Sequence, residues 1–124
     1  MNRKIAISGM IITAVTIAIG AFGAHGLRNL VDVDALNTFE VGVRYQMYHA
    51  LAIVLLGFSS GPNRLKRIVF AFFAVGILFF SGSIYLLSLN TVLPFDAAKI
   101  GFITPIGGLM FILGWLRWGY GLLK

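Results

Sequence analysis

The 124-residue chain contains no cysteine. That excludes disulfides, thiolate nucleophiles, cysteine-held iron–sulfur clusters and cysteine zinc sites. It is also poor in charge: only 11% of its residues are Asp, Glu, Lys or Arg, against roughly a quarter in a soluble domain. Acids are scarcest, with four in the whole chain, namely Asp32, Asp34, Glu40 and Asp96. No two of them lie inside an apolar stretch, so paired-carboxylate chemistry of the glycosidase or aspartyl-protease kind has no candidates. The two histidines, His25 and His49, show no His-x-x-x-His spacing, and a metal site has no local motif.

What fills the chain instead is apolar. Hydrophobic residues make up 59%, and four uncharged windows stand out at 5–24, 45–63, 68–89 and 100–116. A membrane-crossing helix needs about 20 apolar residues. Four spans use roughly 80 positions and leave about 44 for ends and loops. The alternating short strands of a membrane barrel are absent. The expectation is an all-α membrane protein, a four-helix bundle forming one membrane domain over residues 1–124, with helices at about 5–25, 34–59, 65–89 and 99–122. The second window starts early because Asp34 offers an N-cap and Leu36, Phe39 and Val43 repeat at helical spacing. Pro105 is expected to kink the fourth helix locally. Met1-Asn2-Arg3-Lys4 before the first run, with Ala21-Phe22-Gly23-Ala24 after it, also has the outline of a signal peptide. The run of about 20 residues exceeds the usual signal core of 7–15, which favours an uncleaved first helix.

The net charge is +6, but no basic stripe on a soluble surface is available for nucleic acid. The cations sit at the ends of the apolar runs, where they set orientation. Arg3, Lys4, Arg64, Lys66, Arg67, Arg117 and Lys124 fall on one side, against Arg28, Arg44 and Lys99 on the other. Both termini are therefore expected in the cytoplasm. Trp115, Trp118 and Tyr120 read as an aromatic belt at the cytoplasmic end of the fourth helix.

Lipid tails are as apolar as leucine, so helices associate through close packing of small residues. Gly9, Thr13, Thr16, Gly20 and Gly23 (or Ala24) form a slim stripe on the first helix. Ala74, Ser81, Tyr85 and Ser88 do so on the third, and Gly101, Thr104 and Gly108 on the fourth, with Gly107 and Gly114 on an adjoining face. This arrangement places bulky Phe and Leu outward.

The polar group worth weighing for function is His25, Glu40, Arg44, Tyr45, Gln46, Tyr48 and His49. Glu40 and Arg44, Arg44 and Tyr48, and Tyr45 and His49 are each four apart and share a helix face. Ionisable residues within a span are functional candidates. A Glu40–Arg44 pair serves equally as an anchor, and Arg44 can snorkel. His49 lies about 7 Å deeper than Arg44 along the axis. It is open to a proton relay, a metal or an axial haem ligand, with His25 as a second clamp, or simply to a neutral ring bonded to Tyr45 or to a neighbouring helix. The Gly20–Gly26 run lacks the Gly-Lys-Ser/Thr ending of a phosphate loop, and Phe80-Ser81-Gly82-Ser83 lacks the strand–turn–helix setting of a nucleophile elbow.

Four blocks together carry a resemblance: Gly20-Ala21-Phe22-Gly23-Ala24-His25-Gly26-Leu27, Tyr45-Gln46-Met47-Tyr48-His49-Ala50-Leu51, Phe80-Ser81-Gly82-Ser83-Ile84-Tyr85 and Ile103-Thr104-Pro105-Ile106-Gly107-Gly108. They touch all four helices and resemble the YgdD/YwdK-like small membrane proteins, domain-of-unknown-function family 423, which are similar to the transmembrane protein 256 group. The resemblance implies a four-helix protein of the bacterial plasma membrane, with a lead toward envelope integrity. It implies no reaction, ligand or catalytic residue. The expected function is non-enzymatic support of membrane or envelope integrity, without cofactor or metal. Membrane lipids are the expected partners, together with a second copy or another membrane protein. The alternatives are a transporter or channel component acting as an oligomer along Arg44, Gln46, His49, Tyr85 and Thr104, and a haem- or quinone-linked redox protein using His25 and His49.

Overall fold

The computed structural model describes residues 1–123; Lys124, counted above among the cations of the terminal side, lies outside the described residues. Four stretches are long and apolar enough to cross a bilayer: Arg3–Asn29, Val33–Phe58, Asn63–Ser88 and Ala97–Leu122. The first is α1 (Arg3–His25) and a 3-10 turn Leu27–Asn29. The second is α2 (Val33–Phe58). The third combines α3 (Asn63–Gly76), a π-helical stretch Ile77–Ser81 and α4 (Gly82–Ser88). The fourth opens with a 3-10 turn Ala97–Ile100 and continues as α5 (Ile103–Leu122).

Local chemistry sets the ends of these elements. Asn2 caps α1 by accepting the Ile5 N–H at 3.1 Å. The expected cap of α2 at Asp34 is corrected to Asp32. Its extended backbone (φ −76°, ψ 175°) lets the carboxylate accept the Ala35 N–H at 2.8 Å, which leaves Asp34 in the first turn. Either Asp suits a cap chemically, and the extended residue is the one that takes the role. The turn after α2 needs Gly61, whose φ of 115° is the only positive value among the described residues. Lys66, counted from sequence among the cations that set orientation, is buried, and its ammonium donates to the Ser59 carbonyl at the end of α2. That is a favourable place for a cation, because helix C-termini carry unpaired carbonyls. Pro105 falls at the third position of α5. There its missing N–H removes no bond, since first-turn donors have no intrahelical acceptor.

The 89–102 connection is built from short turns. The Asn90 side chain accepts the Ala97 N–H at 2.7 Å and the Asp96 side chain accepts the Ala98 N–H at 3.0 Å. At the opposite end the Asn2 N–H donates to Gly57 O at 2.7 Å, tying the start of α1 to the end of α2.

The outward placement of phenylalanine holds only in part: Phe22, Phe58, Phe79, Phe95 and Phe102 are exposed, but three others turn inward. Phe39, Phe73 and Phe111 are buried, and Phe73 and Phe111 belong to one core with Ile5, Ile53, Leu56, Leu65 and Val69. Glycines sit opposite these large side chains. A Cβ on Gly23 would stand 2.8 Å from the Phe39 ring, and one on Gly114 would stand 2.7 Å from the Phe73 ring; Gly76 faces Phe111 in the same way. The exposed surface is the other half of the argument for a membrane. Ile7, Ile11, Val15 and Ile17 on α1, and Leu109, Ile112 and Leu116 on α5, all face outward. A water-soluble bundle would present charge on such faces.

Candidate functional site

Three polar sites emerge, and α2 contributes to all of them. In the first, Gln46 is a strut between three spans. Its amide donates to Thr16 Oγ1 at 2.8 Å, and its carbonyl accepts from the Tyr85 hydroxyl at 2.6 Å. Thr16 in turn donates to Ile12 O at 2.6 Å, so its oxygen is free to accept. Close by, Ser81 donates to Gly42 O at 2.8 Å, and Ser83 and Thr104 share a 2.5 Å bond between the third and fourth spans. Every buried side-chain polar atom among the described residues has a partner. That closure fits a medium with no water to offer instead.

One turn further along α2, His49 lies among rings. Its imidazole stacks on Phe111 at 3.6 Å between centroids, with planes 9° apart, and meets Phe73 and Trp115 edge-on. Nδ1 is 2.7 Å from the Tyr45 carbonyl, and the Trp115 indole N–H donates to Nε2 at 3.0 Å. A carbonyl only accepts and an indole only donates. Nδ1 therefore carries the proton, Nε2 is the acceptor, and the ring is neutral with both nitrogens engaged. No ring nitrogen is left to ligate a metal or haem. His25 is exposed at the end of α1 and brings no second clamp. No group of three or more His, Cys, Asp or Glu gathers among the described residues.

Beside His49 a groove of about 650 Å³ opens on the outer surface of the bundle. Its walls come from Tyr45 on α2, Phe80 in the π segment, and Gly108, Ile112 and Trp115 on α5. The rim residues Tyr45, Leu109, Ile112 and Trp115 are exposed, so the groove faces whatever surrounds the spans. His49 is nine residues from the end of α2, about 14 Å at 1.5 Å per residue, close to the middle of a bilayer.

The third site is at the other end of α2. Glu40 and Arg44 are exposed and border a smaller groove of about 220 Å³, whose floor comes from Gly20 and Gly23 of α1. The expected Glu40–Arg44 anchor does not form: neither side chain has an ionic or hydrogen-bonding partner among the described residues. Tyr48 is exposed one turn beyond Arg44, with its ring against Tyr45 at 5.6 Å.

The sequence-derived groupings divide accordingly. On α1, Gly9, Thr16, Gly20 and Gly23 face α2, and Thr13 bonds back to Gly9 O. On α5 the close-packed stripe is Gly107, Gly114 and Gly121, which face Phe80, Phe73 and Leu65. The favoured stripe of Gly101, Thr104 and Gly108 is corrected, because Gly108 borders the groove and only Thr104 bonds across the spans. Ser88 bonds within its own helix. Trp115 is not a simple belt residue, since its indole turns to His49. Phe80, Phe111 and Trp115 escaped notice as site residues, although Phe111, Trp115 and Trp118 recur at helical spacing. Arg44, Gln46, His49, Tyr85 and Thr104 do not line one cavity: they divide among the three sites.

Four apolar spans, a saturated polar interior and an oily exterior define a multi-pass membrane protein. Residues 19–108 match the family described as "Protein of unknown function (DUF423)". The chain is 40% identical over 119 residues to a UPF0382 membrane protein of Staphylococcus saprophyticus, covering 95% of each chain. It is 39% identical over 110 residues to one of Haemophilus influenzae, covering 87% of this chain and 84% of that one. To YwdK of Bacillus subtilis, a UPF0382 membrane protein, the identity is 38% over 114 residues, covering 89% and 88%. The chain belongs to the DUF423/UPF0382 family of membrane proteins. No solved structure matches it.

Proposed function

We propose that the protein is a non-enzymatic component of the bacterial plasma membrane, with both termini cytoplasmic, that supports membrane integrity by holding a lipid acyl chain in the groove between Tyr45 and Trp115. One observation carries the reading: the interior polar groups are used up on one another, while the large aromatic groove lies open at bilayer depth. A chain that entered it would exchange lipid neighbours for fixed rings, and van der Waals packing is the force that discriminates in such a medium. The glycine stripes are largely spent inside the bundle, with Gly82 and Gly119 open. That favours the groove over those stripes. The excess of cations on the terminal side supports the orientation, and the bacterial relatives support the location.

The test is mass spectrometry of the gently purified protein, native and Gly108→Leu. A Cβ at Gly108 would lie 3.7 Å from the Phe80 ring, so the leucine is tolerated while it fills the groove. Native protein should carry a co-purifying lipid that the variant retains about tenfold less, a difference of about 1.4 kcal/mol. Equal retention would remove the groove from the account. Solute flux in proteoliposomes that disappears in His49→Ala would replace the reading with transport.

A further inference from the structure

The Glu40–Arg44 groove lies away from the aromatic one and does not depend on its occupant. Arg44 sits 11 residues into α2, about 16 Å along its axis. The pairing of levels between α1 and α2 is set by Gly23 against Phe39, Gly20 against Val43 and Thr16 against Gln46. Arg44 is therefore level with Gly20, about 8 Å short of the end of α1 at His25. It points outward, on the same face as the exposed Tyr48, Leu51 and Leu55. An unpaired guanidinium there has left water without gaining a counter-charge, an arrangement that demands a partner.

Helix direction says where that partner comes from. Side chains tilt toward the N-terminus of their helix. The N-terminus of α2 is at the nearby membrane face, so Arg44 reaches up toward the headgroups. Glu40, one turn nearer the same face, is the next charge it passes. The spacing permits a direct ion pair, yet the two stay apart and border a groove lined by Gly20 and Gly23 of α1 and by Phe39 and Val43 of α2. Reading outward from the bilayer centre, the site presents a cation and then an anion.

A phospholipid with an aminoethyl headgroup presents the complementary order, phosphate first and a primary ammonium two carbons further out. We infer that the Glu40–Arg44 groove is a headgroup site for a zwitterionic, primary-amine phospholipid, with the phosphate on Arg44 and the ammonium on Glu40. Arginine suits phosphate because its planar fork donates two parallel hydrogen bonds. Glu40 requires a donor, which a quaternary choline lacks and a glycerol headgroup does not supply as a cation. The order of charges thus disfavours phosphatidylglycerol, and the need for an N–H donor selects phosphatidylethanolamine over phosphatidylcholine.

Native mass spectrometry of protein exchanged into micelles containing equal amounts of these three lipids tests the site. Wild-type protein should retain phosphatidylethanolamine about fivefold over either competitor, a modest ratio of the kind one charge-assisted contact gives. Glu40→Gln should erase the preference over phosphatidylglycerol while phosphate-dependent binding persists. Arg44→Ala should lower retention of all three, and Arg44→Lys should restore part of it. Both side chains are exposed, so the variants should keep the wild-type melting temperature, which is checked alongside. Soluble glycerophosphoethanolamine should not displace the lipid; displacement would mean that the site reads a free headgroup and would overturn the assignment to a membrane lipid. The inference also fails if wild-type protein holds the three lipids equally, or if Glu40→Gln leaves the ratio unchanged. Gly108→Leu should not affect the ratio, which keeps this outcome separate from that of the aromatic groove.

Discussion

Between α1 and α2 the helices meet backbone to backbone, whereas between the third span and α5 rings occupy much of the space that missing side chains leave. A Cβ on Gly57 would stand 2.6 Å from Ala6 Cα, and one on Gly9 would stand 2.6 Å from the Val54 nitrogen. On the other side Gly114 receives Phe73 and Gly76 receives Phe111, and only Gly107 lies against backbone, that of the π segment. Both seams gain van der Waals contact where burial from lipid gains nothing. The backbone seam is rigid and leaves no room around Gly9 and Gly57; only its other end, beyond Gly20, opens into a groove. The ring seam can yield, because a phenyl group turns about its own bonds, and it is the seam beside the aromatic groove.

The sharpest way to break this comparison is to add the same methyl group to each seam. Gly57→Ala drives a carbon into the backbone of α1 and should cost about 3 kcal/mol, while Gly114→Ala meets one side of the Phe73 ring and should cost about 1 kcal/mol. Unfolding in mixed micelles measures both, and equal losses would mean that the seams do not differ in stiffness. A smaller effect tests the strut that links them. Gln46→Leu removes the bonds to Thr16 and Tyr85 and should cost about 1 kcal/mol. A double-mutant cycle with Thr16→Val should return a coupling of about 0.6 kcal/mol, and no coupling would strip Gln46 of its bridging role. Smallest of all, Trp115→Phe keeps a ring beside Phe73 but takes the donor from His49 Nε2. It should cost about 0.5 kcal/mol. A loss several times larger would show that the tautomer of His49, rather than ring packing, holds that end of α5.

The spans were readable because 20 apolar residues have few uses other than crossing a membrane, and the cluster on α2 because charged and amide groups in such a run stand out. The direction of the phenylalanines was not readable. In water, apolarity says which face turns inward, but lipid is as apolar as a protein core, so Phe73 and the exposed Phe79 carry the same signal. The same silence left two glycine faces of α5 to choose between. Gly101 and Gly108 are spaced seven apart like Gly107, Gly114 and Gly121, and only the position of the third span chooses between them. Asp32 and Asp34 were alike as caps until backbone geometry separated them. The bond between Trp115 and His49 joins residues 66 positions apart, and no local pattern announces it.

The π segment at Ile77–Ser81 gives the third span two characters. Below it, α3 offers Leu65, Val69 and Phe73 to the core; from its last residue onward, Ser81, Ser83 and Tyr85 bond to α2 and α5. A regular helical wheel drawn over Asn63–Ser88 superimposes these two halves and blurs both. The widened turn works as a swivel: each residue gained or lost there would rotate one half against the other by about 100°. Within this stretch the length of the chain, more than the chemistry of any single side chain, decides which neighbour the hydroxyl groups greet.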